Sequence, residues 1–434
     1  MSDYSLHNLT PAQVLAPATP EELAAILRDA SAHGLAVVPW GGGTRQQIGR
    51  APARYNIALS TRALSRIVEY HPADLVITVE AGITLGAIQA ELARHGQWLP
   101  WDVPLAARAS VGGLLASGAV GSLRLGYGPP RDWTLGMCVA LGDGRLVRSG
   151  GKVVKNVAGY DTHKLQIGAL GTLGVIVEAT FKLAPLPECR QTILAAFTEP
   201  HLPGRAIEQL RTAPLQPIAL VALNRRAEET VTPLHAFLDG QPGHIVVAAR
   251  FAGTAGAVHR QIREATRRCI EVGARTIELR EEDDTPLWDA IAGTMAPARD
   301  HSLLLRAGVP SSAFSPLAAL LERTATRAGW PAAQLGIAGV GIVYSRWSVA
   351  GVTPSAVAEA LAAVRTEVIQ LGGYIVVEEA PPKLAGAIDI WGPPPEGSEL
   401  MGALRATWDP AGILNPGRVG WAASGKVADP PGRS

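Results

Sequence analysis

Cysteine is scarce in this chain: Cys138, Cys189 and Cys269 are the three thiols in 434 residues, and each stands far from the others. With no C-x-x-C pair and no ferredoxin-type run, the chain carries no iron–sulfur cluster of its own. Sparse, unpaired cysteine fits a reducing cytosol. Excess charge is missing as well. The 39 Lys and Arg balance 38 Asp and Glu to a net +1, which leaves no electrostatic footprint for nucleic acid or an anionic membrane. No charge-free run of 18 strongly apolar residues occurs, and the opening segment, which includes Asp3, lacks a basic-then-apolar leader. These absences predict a cytoplasmic protein with no membrane span, any peripheral contact with the inner membrane being made through partners. No G-x-S-x-G nucleophile elbow is present, so no Ser-His-Asp machinery is expected. Histidine also runs out: none follows His301, so the C-terminal part offers no imidazole to a metal.

Glycine, by contrast, is abundant and clustered. Pro39-Trp40-Gly41-Gly42-Gly43-Thr44 follows the strand-like run Leu35 to Val38. Glycine costs roughly 0.5–1 kcal/mol where regular structure could form, so a triplet behind a strand points to close approach or positive φ. Successive free N–H groups in such a loop form a concave nest that suits a phosphate or pyrophosphate. The dinucleotide fingerprint G-x-G-x-x-G is begun by Gly41 and Gly43 but broken at Gln46, so this is not a Rossmann loop. Taken alone, the loop reads equally well as a tight turn. Ahead of it, Thr19-Pro20-Glu21-Glu22 forms a capping box, and Leu23, Ile26, Leu27 and Ala30 recur at helical spacing until Gly34. A second concentration runs from Ser110 to Gly128 (SVGGLLASGAVGSLRLGYG), a composition that suits neither an ordinary helix nor a strand. Small residues at this density let backbone lie against a large planar ligand, with the N–H groups of Ser110 to Gly113 available to its polar edge. A third segment, Gly168-Ala169-Leu170-Gly171-Thr172-Leu173-Gly174-Val175-Ile176, repeats the theme. Three backbone-only surfaces suggest one extended cofactor.

The combination of PWGGGT, the stretch ADLVITVEAGITLGAIQAEL from Ala73, SVGGLLASGAVGS, KNVAGYD from Lys155 and GTLGVI from Gly171 resembles the FAD-binding domain of the vanillyl-alcohol-oxidase (VAO, or PCMH) type. WDPAGILNPGR from Trp408 is similar to the closing signature of the D-2-hydroxyacid dehydrogenase branch. Within that branch the match is nearest to the flavin-binding accessory (E-type) subunits of bacterial glycolate dehydrogenases, over about residues 14–185 and, less closely, 374–420. The resemblance implies that Pro39, Trp40, Gly41, Gly42, Gly43 and Thr44 hold the FAD pyrophosphate. Ser110, Val111, Gly112 and Gly113, with Ser117 and Gly118, would line the isoalloxazine and ribityl portion, and Gly171, Gly174, Val175 and Ile176 would pass along the adenine and ribityl side. It further implies a sister flavoprotein subunit, an iron–sulfur partner and a small hydroxyacid substrate, glycolate above all. An independent dehydrogenase of another small acid or alcohol, and a non-catalytic FAD-containing assembly subunit, stay open beside it.

Departures from the family pattern shape the chemistry. Members with covalent flavin carry a histidine in the phosphate loop; Gly41 to Arg45 contain none, so the FAD is expected to be non-covalent. The usual glutamate before GTLG is Leu170 here. Catalytic members bear H-x-G-x-G-N-x-H and a later E-H-G. This chain keeps their scaffolds, Gly336 to Tyr344 and Val377-Glu378-Glu379-Ala380-Pro381, without the histidines. No metal is expected, Glu378 and Glu379 reading as a strand end and a solvated charge rather than ligands. Arg346 could clamp a substrate carboxylate, although a solvated strand-end arginine is the commoner case. His163 reads as a surface residue in preference to a proton acceptor, and Trp40 and Tyr160 read as packing residues, with Asp161 as a turn or cap.

The length and 47% hydrophobic content accommodate two to three domains. Strands are expected over Leu75 to Glu80, Met137 to Leu141 and Arg145 to Arg148 about an Asp143-Gly144 turn, and Val175 to Leu183, with a helix over Leu85 to His95. Past Pro185 and Pro187 the glycine motifs cease. Strand-like runs His244 to Phe251, Leu303 to Arg306, Ile337 to Tyr344 and Tyr374 to Val377 then alternate with helical stretches 255–272, 315–328 and 354–371, which suggests a sheet with helices on one face. The expected architecture is α+β: a VAO/PCMH-type FAD-binding domain (1–187), an α+β cap of antiparallel sheet and helices (188–388), a segment returning to the cap and flavin edge (389–420) and a loose tail (421–434).

Overall fold

The computed structural model describes residues 4–119, 121–152, 159–238, 245–279, 281–298 and 301–420. Most of the KNVAGYD motif and the whole tail lie outside these. The first helix, Pro20–Ala32, begins as its capping residues dictate. The Thr19 hydroxyl accepts the Glu22 N–H at 3.1 Å, and the Glu22 carboxylate accepts the Ala18 N–H at 2.8 Å. Leu23, Leu27 and Ala30 are buried along one stripe, which packs against a three-stranded parallel sheet in the order Gln13–Leu15, Ile57–Ser60, Val37–Trp40.

The same apolar cluster takes in Cys138, Ala140, Val175 and Val177 of a second, antiparallel sheet. Its order is Ile67–His71, Val76–Glu80, Val175–Lys182, Thr134–Ala140, Leu146–Gly150. Leu75 does not start its strand as expected, because it takes φ 55° after the short turn Pro72–Asp74. The Asp-Gly hairpin forms: Gly144 has φ 82°, and the Asp143 carboxylate accepts the Arg145 N–H at 3.0 Å. Helices Leu85–Ala93 and Val111–Ser117 cover this sheet.

From Cys189 onward the chain builds an eight-stranded antiparallel sheet. Its order is Arg275–Glu278, Cys189–Phe197, Ile245–Gly253, Ala219–Leu223, Ala332–Ile337, Ile342–Ser348, Ser302–Gly308, Tyr374–Glu379. Helices Leu202–Thr212, Ala255–Glu271, Phe314–Arg327 and Pro354–Gln370 bury their apolar stripes in one core with Phe197, Phe251 and Trp347, each such large side chain contributing roughly 1.5–3 kcal/mol by leaving water. The expectation of helices on one face is incomplete. The other face is also covered, by Leu287, Trp288 and Ile291 of helix Glu281–Gly293 and by Trp98, Leu123 and Ala184 from the N-terminal half. Ile337 to Tyr344 is not one strand either: it turns through Ala338–Val340 and Gly341 (φ 74°) into a hairpin.

Candidate flavin site

The glycine loop closes the parallel sheet. Arg62 donates to the Gly41 carbonyl at 3.0 Å and the Gly42 carbonyl at 3.4 Å from behind. A trans peptide sets each carbonyl opposite the following N–H, so these bonds turn the N–H groups of Gly42 and Gly43 forward. The Gly42 N–H meets the Ser110 hydroxyl at 3.1 Å. Crowding explains the missing side chains. A Cβ on Gly41 would lie 1.9 Å from Ser110 Oγ, and one on Gly42 1.8 Å from the Arg108 carbonyl oxygen. Only Gly43 of the three needs the left-handed region, at φ 71°. Trp40 packs, as expected, edge-on to Tyr4 with its Nε1–H donated to Tyr55 at 2.7 Å.

In front of the loop lies a cavity that is partly open to solvent. All three glycine surfaces reach it. Pro39 to Thr44, Ser110, Gly112, Gly113, Ser117, Gly171, Gly174, Val175 and Ile176 line its wall. Two expected residues do not. Val111 is fully buried and gives its N–H to Ile83 at 2.9 Å, and Gly118 (φ 60°) ends helix Val111–Ser117 against Gly168. The segment is thus a helix after all, capped by Ser110. Its N–H groups are spent as well: Gly112 donates to Ala81 at 2.7 Å and Gly113 to Ser110 Oγ at 3.4 Å. These residues present a bare surface instead of donors.

Sequence reading missed the C-terminal contribution to this wall, Asn415 and Arg418. Asp409 accepts the N–H groups of Ile413 and Leu414 at 3.0 and 2.8 Å, folding the DPAGIL turn so that Leu414 runs parallel to Val37. Asn415 then gives its amide to the Leu170 carbonyl at 2.6 Å, which supplies a main-chain contact at the place of the family's glutamate. Asn415 Oδ1 is buried without a partner. Arg418 is buried and donates to the carbonyls of Arg50 (3.0 Å), Gln46 (2.6 Å) and Ile48. Burial pulls its pKa down to about 10, so it stays charged at neutral pH. A cation at the wall, the forward N–H of Gly43 and flat apolar sides suit a diphosphate joined to ring systems.

The cap side departs most from expectation. Glu378 and Glu379 are 5% and 8% exposed, not solvated. The pairing of Ser302–Gly308 with Tyr374–Glu379 shifts between Leu304 and Leu305, so Glu378 is a bulge residue with no opposite partner. A bulge re-aims side chains, and both acids turn toward one chamber beside the loop. Arg45 Nη2 and Arg306 Nε each lie 2.6 Å from a different oxygen of Glu378. Burial opposes ionisation of Glu378, but the two guanidinium groups outweigh it and hold its pKa below the ordinary carboxylate value. Arg346 is no solvated strand end. It donates to Glu379 at 3.1 Å, Ser302 at 3.0 Å and the Ala296 carbonyl at 2.8 Å, all groups of the chain itself.

His163 is buried, with Nδ1 3.3 Å from Ser149 Oγ, whereas Tyr160 is 92% exposed. Asp161 pairs with Lys164 at 2.6 Å but makes no side-chain capping bond. Among the described residues no group of three or more His, Cys, Asp or Glu side chains could hold a metal, and none of the helices is long and apolar enough to cross a membrane. Treatment with a chelator is expected to leave the flavin spectrum and melting temperature unchanged; a stoichiometric divalent ion whose removal lowers the melting temperature would contradict this.

Residues 11–150 match the family model described as "FAD binding domain", and residues 392–419 that of "FAD linked oxidases, C-terminal domain". The chain carries a VAO/PCMH-type FAD-binding domain. FAD is its cofactor. It is 28% identical to glycolate oxidase subunit GlcD of Bacillus subtilis, over 94% of this chain and 89% of that protein. It is 32% identical to glycolate oxidase subunit GlcE of Escherichia coli, over 53% of this chain and 65% of that protein. The structure of p-cresol methylhydroxylase superposes with a TM-score of 0.72 over 93% of this chain and 88% of that chain at 17% identity, which establishes the shared fold.

Proposed function

We propose that this chain is the FAD-binding accessory subunit of a glycolate (2-hydroxyacid) dehydrogenase complex, taking part in electron transfer from glycolate oxidation to glyoxylate beside a sister flavoprotein and an iron–sulfur subunit. One observation carries the reading: three glycine surfaces meet at one cofactor cavity, while the scaffolds that bear the catalytic histidines in the resembled family hold none here. The similarity to both GlcD and GlcE supports a place among glycolate oxidase subunits. Residues 1–187 would form the cofactor domain, 188–388 the cap and 389–420 the returning segment.

The chain's own residues divide the work of binding. The Gly41 to Thr44 loop would hold the diphosphate, with the Gly43 N–H turned forward while the Gly42 N–H stays on the Ser110 hydroxyl, and Arg418 would supply charge. Ser110, Gly112, Gly113 and Ser117 would lie against the isoalloxazine and ribityl portion, and Gly171, Gly174, Val175 and Ile176 along the adenine and ribityl side. Bound FAD supplies two-electron oxidation chemistry; the chain supplies position, a water-excluding wall and fixed positive charge. Purified from its source, the tagged chain is expected to bring down a sister flavoprotein and an iron–sulfur protein, and to hold about one FAD per chain that acid or heat releases. A colourless chain that rejects added FAD would sink the cofactor assignment, and a chain that purifies alone under all salt conditions would sink the complex.

A further inference from the structure

The chamber beside the glycine loop contains an arrangement that cofactor binding does not account for. It lies between Thr44, Arg45 and Ile48 on one side and Met295, Leu304 and the two glutamates on the other, and is partly open to solvent. It shares Thr44 and Arg45 with the larger cavity. At its wall, Arg45, which lines the chamber, and Arg306, which does not, converge on the single carboxylate of Glu378 from segments far apart in sequence, one on each oxygen, at 2.6 Å. Separate charge-assisted bonds to both oxygens are how arginines recognise a carboxylate ligand. Tyr374 accepts a second donor of Arg306 at 2.7 Å and fixes its plane.

Among the described residues, two guanidinium groups face one carboxylate at this clamp. Arg346 pairs with Glu379 at 3.1 Å, and Arg45 and Arg306 share Glu378. Arg45 Nε is in addition buried without an acceptor. Neutralising Glu378 would therefore strand two largely buried cations, and buried unpaired charge is among the costliest defects a fold can carry.

We infer that Arg45 and Arg306 form a binding site for small monocarboxylates which the chain fills with its own Glu378, so that free acids of this class are excluded until that side chain withdraws or is replaced. The bulge is what makes this possible: it brings Glu378, as an internal ligand, into the space a free carboxylate would take. The inference goes beyond the glycolate assignment and stands on the geometry of the clamp, and its test reads acetate binding, not turnover, so either can fail without the other.

The experiment uses the full-length, FAD-loaded chain, with Glu378→Ala and Glu378→Gln variants, titrated with acetate against chloride and sulfate at matched ionic strength. Melting temperature and the flavin difference spectrum are followed. Glu378→Ala is expected to melt below the parent without acetate and to regain at least about 3 °C with it, the parent staying unmoved. Glu378→Gln, which keeps the volume and one acceptor, should respond in the same direction and less. A folded Glu378→Ala chain that acetate neither stabilises nor shifts spectrally would overturn the inference, as would a parent chain that binds acetate equally well. Should Glu378→Ala fail to accumulate, recovery of folded protein only when acetate is present throughout supports the site. Failure with and without acetate, together with an unresponsive Glu378→Gln chain, counts against it.

Discussion

Chains carrying Gly42→Ala or Gly42→Val are expected to emerge from purification without FAD, while Gly256→Ala keeps its full complement. The difference is one of space. A Cβ at position 42 would sit 1.8 Å from the Arg108 carbonyl oxygen and 2.9 Å from its carbon, and both contacts are backbone, so no side chain can rotate away. The loop would have to leave Arg108 and Ser110, breaking the 3.1 Å bond from the Gly42 N–H to Ser110 Oγ and turning the forward N–H of Gly43 aside. Gly42 does not owe its identity to backbone conformation, since the positive φ belongs to Gly43. A steric conflict of this kind costs at least about 3 kcal/mol, enough to lower affinity by roughly 100-fold or more. Gly256 lies in helix Ala255–Glu271, where a Cβ would meet nothing within 4 Å, and alanine there should be neutral or slightly stabilising. Flavin content is read from absorbance after acid release, with circular dichroism to show that the chain is folded. A folded Gly42→Val chain with flavin at the Gly256→Ala level would remove the loop from the site.

Local rules make much of this fold legible. Thr19 and Gly34 bracket the first helix, the Asp143-Gly144 turn sets its hairpin, and the cap helices appear within a few residues of where their apolar spacing places them. The glycine surfaces are legible for a different reason: a missing Cβ records close approach even when the partner is unknown. What sequence does not show is buried charge, because the partners come from elsewhere in the chain. Glu378 reads as a solvated strand end until Arg45 is placed beside it. The acidic run Glu281 to Asp284 opens a helix, and its Asp284 is 1% exposed, paired with Arg250 and accepting the Thr192 hydroxyl at 2.6 Å. His163 is a further case, its burial being fixed by the strand that carries Ser149. Arg418 stands in a recognisable closing signature, but its place at the cavity wall depends on a turn that returns the chain to the first sheet.

Anaerobic addition of glycolate to the isolated, FAD-loaded chain is expected to leave the flavin absorbance unchanged over seconds to minutes, and bleaching should require a sister flavoprotein that bears the histidine motif together with an iron–sulfur subunit. Oxidation of a 2-hydroxyacid needs a base for the hydroxyl proton and a cationic clamp for the carboxylate, aligned together. The expected positions hold Ile337, Val343 and Ala380, all buried, and Val340, none of which can do either task. The charged neighbours are committed elsewhere. Arg346 is satisfied by Glu379, Ser302 and the Ala296 carbonyl, and Arg45 and Arg306 are both engaged by Glu378. Glu378 is itself a poor base: the two guanidinium groups hold its pKa low, and a carboxylate that protonates reluctantly gains little by taking a hydroxyl proton. The expected contrast is large, since losing both base and clamp removes at least about 10²–10⁴ in rate from the base alone. Rapid bleaching by glycolate in the absence of partners would refute the accessory reading in favour of an independent dehydrogenase, and Arg346→Met would then be the first variant to make.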